Sequence, residues 1–154
     1  MSGCATRLHG VDTAVEVGRT ASDVMVTVPK TLPMDASVAQ VWAMFSDDHV
    51  HMALLTADGF LRSTVRRSDL PAAALPTDAA LAYGTLVGRT VDPHESAEAI
   101  RLRLVGSGQR RLAVVGASGE LLGLVCLKRS GTGFCSDEGV AARAAERAAV
   151  PDCG

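Results

Sequence analysis

A cluster of charged side chains, from Arg66 to Asp69, closes the stretch 58–70 and contains the groups best suited to bind a polar ligand. The Asp69 carboxylate has two acceptor oxygens, and the Arg66 guanidinium offers paired donors that suit a phosphate or a carboxylate. The two side chains could bind a ligand together, or Arg66 could pair with Asp69 and close the site. Asp69 could equally be a surface acid or a cap before Pro71, and Arg66 and Arg67 could form a solvated basic face.

The other reactive side chains lack the spacing of a catalytic or metal site. His49 and His51 would point to the same side of a strand, but no third ligand accompanies them, so no metal is expected. Neither a nucleophile–base pair nor a phosphate-binding glycine loop is present, so we predict that the chain is not an enzyme and needs no cofactor. The cysteines have no CxxC spacing and are expected to be free thiols, with Cys126 buried in an apolar run. They are Cys4, Cys126, Cys135 and Cys153.

The pattern around the charged cluster occurs twice, which indicates an internal repeat. Aligning Gly59 with Gly119 places the stretch 52–65 on the stretch 112–125, with apolar residues at matching positions. Each copy has an apolar run, a turn containing glycine and a second apolar run. This pattern predicts a β-hairpin in each half of the chain.

A helix is predicted before each hairpin. In the first copy Ser37 is expected to cap it, with Gln40 as its capping-box partner. Apolar residues then recur at the helical spacing i, i+3, i+4 and i+7. They are Val38, Val41, Trp42 and Phe45. One hairpin is not expected to cover all four, so this face is predicted to be exposed and to form a homodimer interface.

Each half is thus predicted to be strand–helix–strand–strand. The predicted segments are an N-terminal extension 1–19, a first motif 20–70, a connector 71–85, a second motif 86–131 and a segment 132–154. The last is expected to be a helix, capped by Ser136 and ended by Pro151, that completes the second motif. Neither half buries much surface alone. We therefore expect an α/β (α+β) fold in which two small three-stranded sheets pack face to face about a pseudo-twofold axis.

Composition limits the function classes. The chain has 154 residues, 47% of them hydrophobic and only 3% aromatic, so its core must consist of Val, Leu, Ala and Met. The formal net charge of −2 favours neither nucleic acid nor an anionic membrane. No apolar run is long enough for a membrane helix, and the N-terminus has no signal-peptide core. A soluble, cytoplasmic protein is expected.

The two copies resemble a tandem pair of cystathionine β-synthase (CBS) domains, or Bateman module. The first copy carries the motif segments 23–25, 35–38, 52–55 and 58–70, and Asp69 lies at the acidic position of the family pattern. Six positions depart from that pattern. Ser63 replaces a glycine that Gly123 retains, Arg66 and Cys126 replace a hydroxyl residue, and Arg129 replaces the acid. Ala53 and Ala113 replace a proline.

The resemblance implies that adenosine-type ligands, such as AMP, ADP or ATP, bind in clefts between the motifs. The acid would accept hydrogen bonds from both ribose hydroxyls. Position by position, the first cleft would be lined by Thr31, Leu32, His51, Met52, Ala53, Arg66, Arg67 and Asp69. A second, weaker cleft would be lined by Val91, Arg111, Leu112, Cys126 and Arg129.

The expected function is that of a non-catalytic regulatory homodimer, which senses an adenine nucleotide and passes its output to an effector protein. The alternative is a ligand-free structural or protein-interaction module. Ser63, Arg66 and Arg129 favour this alternative, because each replaces a residue of the family's binding pattern.

Overall fold

The secondary structure follows the repeat. The computed structural model describes residues 19–48 and 50–135, so His49 and the C-terminal helix predicted from Ser136 to Pro151 lie outside the described residues. In chain order the elements are α1 (Ala21–Val24), β1 (Thr31–Pro33), α2 (Val38–Phe45), β2 (Met52–Ala57), β3 (Phe60–Arg66), a 3₁₀ turn η1 (Arg67–Asp69), a second 3₁₀ turn η2 (Ala80–Tyr83), β4 (Thr90–Val91), α3 (Ala97–Ser107), β5 (Arg111–Val115) and β6 (Leu121–Cys126).

The strands form two three-stranded sheets of identical topology, ordered β1-β2-β3 and β4-β5-β6. In each sheet the first pair of strands is parallel and the second is an antiparallel hairpin. The hairpins are irregular at matching places, between Leu55 and Thr56 and between Val114 and Val115. The α+β repeat predicted from the sequence is confirmed.

Helix α2 begins where the sequence predicted. The Ser37 hydroxyl accepts a hydrogen bond from the Gln40 amide at 3.3 Å, and the Gln40 side chain accepts one from the Ser37 amide at 2.9 Å. This reciprocal capping box satisfies two backbone donors that the first helical turn leaves unpaired. The second copy has a simpler cap, in which the Ser96 hydroxyl accepts from the Ala99 amide at 3.2 Å.

The exposed apolar face predicted for α2 is wrong in three of its four positions. Val38, Val41 and Phe45 are buried, and only Trp42 is exposed, at 42% of its surface. The connector supplies the missing cover: Ala74 and Ala80 pack in the same cluster as α2. Backbone hydrogen bonds from Val38 to Asp78 and from Ala80 to Ala36 hold the connector against the helix.

The two sheets pack on each other through their hairpins. A central apolar cluster contains Met52, Leu54 and Leu61 from the first motif and Ala113 from the second. The hairpin turns also exchange backbone hydrogen bonds, from the Leu61 amide to Gly119 at 3.0 Å and from the Leu121 amide to Gly59 at 2.9 Å. These near-equivalent bonds confirm the face-to-face, pseudo-twofold arrangement.

A segment near the start of the described residues packs on the second motif. Ala21 and Val24 of α1 belong to the core of the second motif, together with Ile100 and Leu104 of α3. The backbone of Val26 exchanges hydrogen bonds with that of Leu124 on β6, at 2.8 and 3.0 Å. Residues 21–26 therefore complete the second motif, although chain order assigns them to the first.

Candidate functional site

The Asp69 carboxylate lies at the junction of the two motifs. Strand β3 ends at Arg66, and the turn η1 brings the Asp69 side chain back to accept a hydrogen bond from the Arg66 amide at 2.8 Å. The guanidinium of Arg89, one residue before β4, donates to both carboxylate oxygens, at 2.5 and 2.9 Å. Both side chains are largely buried, with 10% of Arg89 and 16% of Asp69 exposed. The first motif thus supplies the acid and the second motif supplies its partner.

Arg89 also contacts the backbone of the first motif. Its Nη1 atom lies 3.3 Å from the Thr64 carbonyl oxygen and 3.4 Å from the Thr64 hydroxyl. The buried Thr64 hydroxyl in turn donates to the Thr85 carbonyl at 2.5 Å. A buried guanidinium is tolerated only when it is well paired, and these contacts supply that pairing.

The carboxyl of Asp69 is held in its charged form. Burial acts to raise its pKa, but the hydrogen bonds from Arg89, the Arg66 amide and the positive charges of both arginines together lower the pKa below its usual value. The pKa of Arg66 is lowered, first by burial and then by the nearby charge of Arg89. Two guanidiniums and one carboxylate therefore share this junction, with one excess positive charge.

The Arg66 guanidinium does not pair with Asp69. Its Nη2 atom instead donates to the Gln109 side chain, 2.5 Å away in the loop between α3 and β5. The site is closed as one hypothesis proposed, but Arg89 closes it in place of Arg66. Arg66 makes a second polar link between the motifs.

Arg67 caps the end of helix α2. Its Nη2 atom donates to the carbonyl oxygens of Phe45, Asp47 and Val50, at 2.5, 3.3 and 3.3 Å. The guanidinium carbon also lies 5.0 Å from the centre of the Phe45 ring. A cation at this position satisfies the Phe45 carbonyl, which the end of the helix leaves unpaired, and also binds two carbonyls of the following loop. Arg67 is itself exposed, so the solvated basic face considered for it fits this position, and a role in binding stays a prediction.

The remaining first-cleft residues lie on β1 and at the start of β2. Met52 lies opposite Arg66 in the β2–β3 ladder, so it is adjacent to the junction, whereas Ala53 is buried in the core of the first motif. Thr31 and Leu32 lie opposite Leu54 and Leu55, on the other edge of β2. His51, which directly precedes β2, is partly buried.

The second cleft differs from its prediction at Cys126. Cys126 forms a disulfide with Cys135, so the expectation of free thiols is wrong for this pair. The loop after β6 folds back through a Leu127–Phe134 bridge and a 2.7 Å hydrogen bond from the Cys135 amide to the Cys126 carbonyl. The two Cα atoms consequently lie 5.3 Å apart, within the range that a disulfide spans.

The other second-cleft residues do not share one environment. Val91 and Leu112 are buried in the core of the second motif, and Arg111 is also buried. Arg129, at the position of the family acid, is exposed.

Sequence reasoning missed Arg89 and Gln109. Arg89 directly precedes the strand whose Val91 was assigned to the second cleft, yet its side chain reaches the first. The available signal was a single arginine beside a buried strand, since a charge in such a place needs a distant acid as its partner. Gln109 had no such signal, because it follows Gly108 at the end of a helix in an ordinary loop.

A separate cleft of about 320 Å³ lies on the helical side of the first motif. It is lined by Trp42, Phe45, Ser46, Arg67 and Leu70. Among residues 19–48 and 50–135, no three His, Cys, Asp or Glu side chains are placed to hold a metal ion. No helix in the same residues is long and apolar enough to cross a membrane.

Comparison with solved structures identifies the fold. The CBS domain protein PAE2072 from Pyrobaculum aerophilum, complexed with AMP, is 20% identical with a TM-score of 0.59, and the match covers 72% of this chain and 93% of that one. The CBS domain pair of protein MJ0100, in complex with 5′-methylthioadenosine and S-adenosyl-L-methionine, is 13% identical with a TM-score of 0.57, covering 83% and 97%. The chain has the fold of a tandem CBS domain pair.

A third similar structure is matched over less than half of its length. The cytosolic domain of the Mg²⁺ channel MgtE, in complex with ATP, is 16% identical with a TM-score of 0.59; the match covers 71% of this chain but only 46% of that one. No family model matches the sequence, and no curated protein matches it.

Proposed function

We propose that the chain is a non-catalytic regulatory CBS pair that binds an adenine nucleotide at the junction around Asp69. The observation that carries this proposal is a junction between the motifs in which the Asp69 carboxylate is paired with the Arg89 guanidinium and the Arg66 guanidinium lies close by. A nucleotide needs an acceptor for its ribose hydroxyls and cationic donors for its phosphate, and this junction has both kinds of group. The similar structures that carry AMP or ATP support the choice of ligand.

A ligand at this position would act on the relation between the motifs. Asp69 and Arg66 belong to the first motif, whereas Arg89 and Gln109 belong to the second. A nucleotide that replaces the bonds between them would replace one set of inter-motif contacts by another. Ligand binding would then favour one arrangement of the two motifs over another. An effector protein could respond to that difference. We further propose that the module is a cytoplasmic homodimer.

One observation favours the alternative of a ligand-free structural or protein-interaction module. Both oxygens of Asp69 already accept hydrogen bonds, and the partner guanidinium is buried. In that alternative the ion pair serves only to hold the two motifs together. Arg129 and the cross-linked Cys126 leave the second cleft without the acid and hydroxyl of the family pattern.

Isothermal titration calorimetry against AMP, ADP, ATP, S-adenosylmethionine and NAD(H) distinguishes the two functions. We expect one adenine nucleotide to bind the wild-type chain, and Asp69→Asn to weaken it about tenfold or more, the usual effect of losing a charge-assisted hydrogen bond. Asp58→Asn is the matched control, because Asp58 lies in the β2–β3 turn with a φ of 54° that asparagine also tolerates. Failure of every compound to bind would leave the structural alternative.

A further inference from the structure

The ion pair between Asp69 and Arg89 stands in the way of the proposed ligand. Oδ2 of Asp69 accepts from both Arg89 and the Arg66 amide, and Oδ1 accepts from Arg89, so the carboxylate has too few open acceptor sites for two ribose hydroxyls. A nucleoside that binds in this cleft must therefore separate Arg89 from Asp69. The Arg89 guanidinium would then need another partner.

Arg89 cannot simply be released into the protein. Only 8% of the residue is exposed, and its other hydrogen bonds go to the carbonyl and hydroxyl oxygens of Thr64, which carry no charge. Removing one partner of a buried ion pair is strongly unfavourable, because the other charge stays buried without compensation. A ligand that offers only hydroxyl groups would leave Arg89 in that state.

A phosphate group removes this obstacle. It presents several charged oxygens and accepts paired hydrogen bonds from a guanidinium as a carboxylate does. Arg66 lies close enough for the charge of Arg89 to lower its pKa, so a second guanidinium is available beside the first. The excess positive charge of the cluster also favours an anion over a neutral or cationic ligand.

We propose that Arg89 is a selectivity element that admits nucleotides and rejects nucleosides from the cleft at Asp69. On binding, the Arg89–Asp69 ion pair separates. The guanidinium of Arg89 then donates to the phosphate, and the carboxylate of Asp69 accepts from the ribose hydroxyls. Adenosine cannot complete this exchange, because it carries no anionic group to pair with the guanidinium. This inference rests on the proposed nucleotide-binding function and specifies its ligand class.

The experiment compares AMP and adenosine by calorimetry on three chains. They are the wild type, Arg89→Met, and Arg62→Met as the matched control for an arginine on β3 that is exposed and lies beside the Phe60 ring. The wild type and the control should bind AMP at least tenfold more tightly than adenosine, which corresponds to one charge-assisted interaction. In Arg89→Met the affinity for adenosine should rise and the preference for AMP should fall below about threefold, since the acid is free and one phosphate ligand is lost.

The outcomes separate the two claims. Equal binding of AMP and adenosine by the wild type would overturn the phosphate requirement while supporting the nucleotide-binding function. Adenosine binding by Arg89→Met alone, with no AMP binding by the wild type, would overturn the exchange and make Arg89 a permanent block. No binding of AMP or adenosine by the wild type or by Arg89→Met would overturn the proposed function itself. The wild-type ratio of AMP to adenosine affinity needs no variant, so equal affinities would overturn the phosphate requirement even if Arg89→Met does not fold.

Discussion

At the scale of single residues, Asp69 connects ligand chemistry with stability. The same carboxylate that the family pattern assigns to ribose is bonded to Arg89 and to the Arg66 amide. The pair joins the end of β3 to the start of β4 and thus bridges the two motifs. Its removal should affect the folded chain whether or not a ligand binds.

We predict that Asp69→Asn lowers the free energy of unfolding by about 3 kcal/mol near neutral pH, because it leaves the Arg89 charge buried without its partner. The folded pKa of Asp69 is lowered, so its contribution is fully present above the unfolded pKa and is lost as pH falls through the folded value. The difference between wild type and variant should thus stay constant from about pH 7 to pH 5 and shrink below about pH 4. Urea denaturation of both chains across this range measures it. A difference that grew in acid would contradict the ion pair.

At the scale of elements, the loop after β6 is fixed by contacts that the sequence did not reveal. Residues 127–135 return along β6, with hydrogen bonds from the Lys128 amide to Gly133 and from the Cys135 amide to Cys126. The bridge between Cys126 and Cys135 then joins the strand to the end of this loop. A spacing of nine residues matches no metal or redox motif, so it gave no sign of pairing.

We predict that this disulfide stabilises the chain by about 2–3 kcal/mol, the magnitude expected for closing a short loop. Adding dithiothreitol should lower the urea midpoint of the wild type and leave that of Cys135→Ser unchanged, because the variant has no bridge to lose. Cys153→Ser, which keeps both partners, should respond as the wild type does. Peptide mapping without reductant should recover 126 linked to 135. A wild-type urea midpoint that does not change with dithiothreitol would show that the disulfide does not stabilise the fold.

The elements that could be predicted from sequence are the ones defined by local patterns. The hairpin at Gly59, its copy at Gly119 and the cap at Ser37 depend on residues close together in the chain, and all three are present. The missed features involve partners far apart in the chain: the connector covering α2, and Arg89 reaching Asp69. Periodicity gives the apolar face of a helix but not which segment covers it. The sequence likewise shows which side chains are charged, but not the distant group that pairs with each.

At the scale of the whole molecule, a chain segment packs against the last strand of each sheet. Residues 25–26 cross β6 at Gly123, and residues 84–85 cross β3 at Ser63. The second copy has its glycine on the sheet, whereas the first has Ser63 on the sheet and Gly84 on the crossing segment. This exchange explains why Ser63 can replace the family glycine: the crossing segment provides the space instead.

We predict that Gly123→Ala destabilises the chain by about 1–3 kcal/mol, the usual effect of overpacking. A Cβ atom at 123 would lie 2.7 Å from the Val26 carbonyl oxygen, so it would displace the segment that completes the second motif. Gly106→Ala, in α3 with nothing within 4 Å of its Cβ position, is the matched control and should stabilise by up to about 1 kcal/mol. Thermal unfolding of the three chains measures both effects. Equal behaviour of the two variants would mean that residues 25–26 do not pack against β6.

Exposed apolar side chains on the helices predict association of whole chains. The buried positions of α2 no longer argue for a dimer, but Trp42 on α2 and Leu102 and Val105 on α3 remain exposed. Large apolar side chains on the helical surfaces are the kind of feature that a second copy covers. We expect light scattering at micromolar concentration to give twice the chain mass, and Trp42→Lys to shift the population towards the monomer. Val87→Lys, at a residue that is even more exposed but lies in a loop, should leave the mass unchanged. A monomeric wild type would show that these side chains do not mediate self-association, and a shift in Val87→Lys alone would move the interface to the loop.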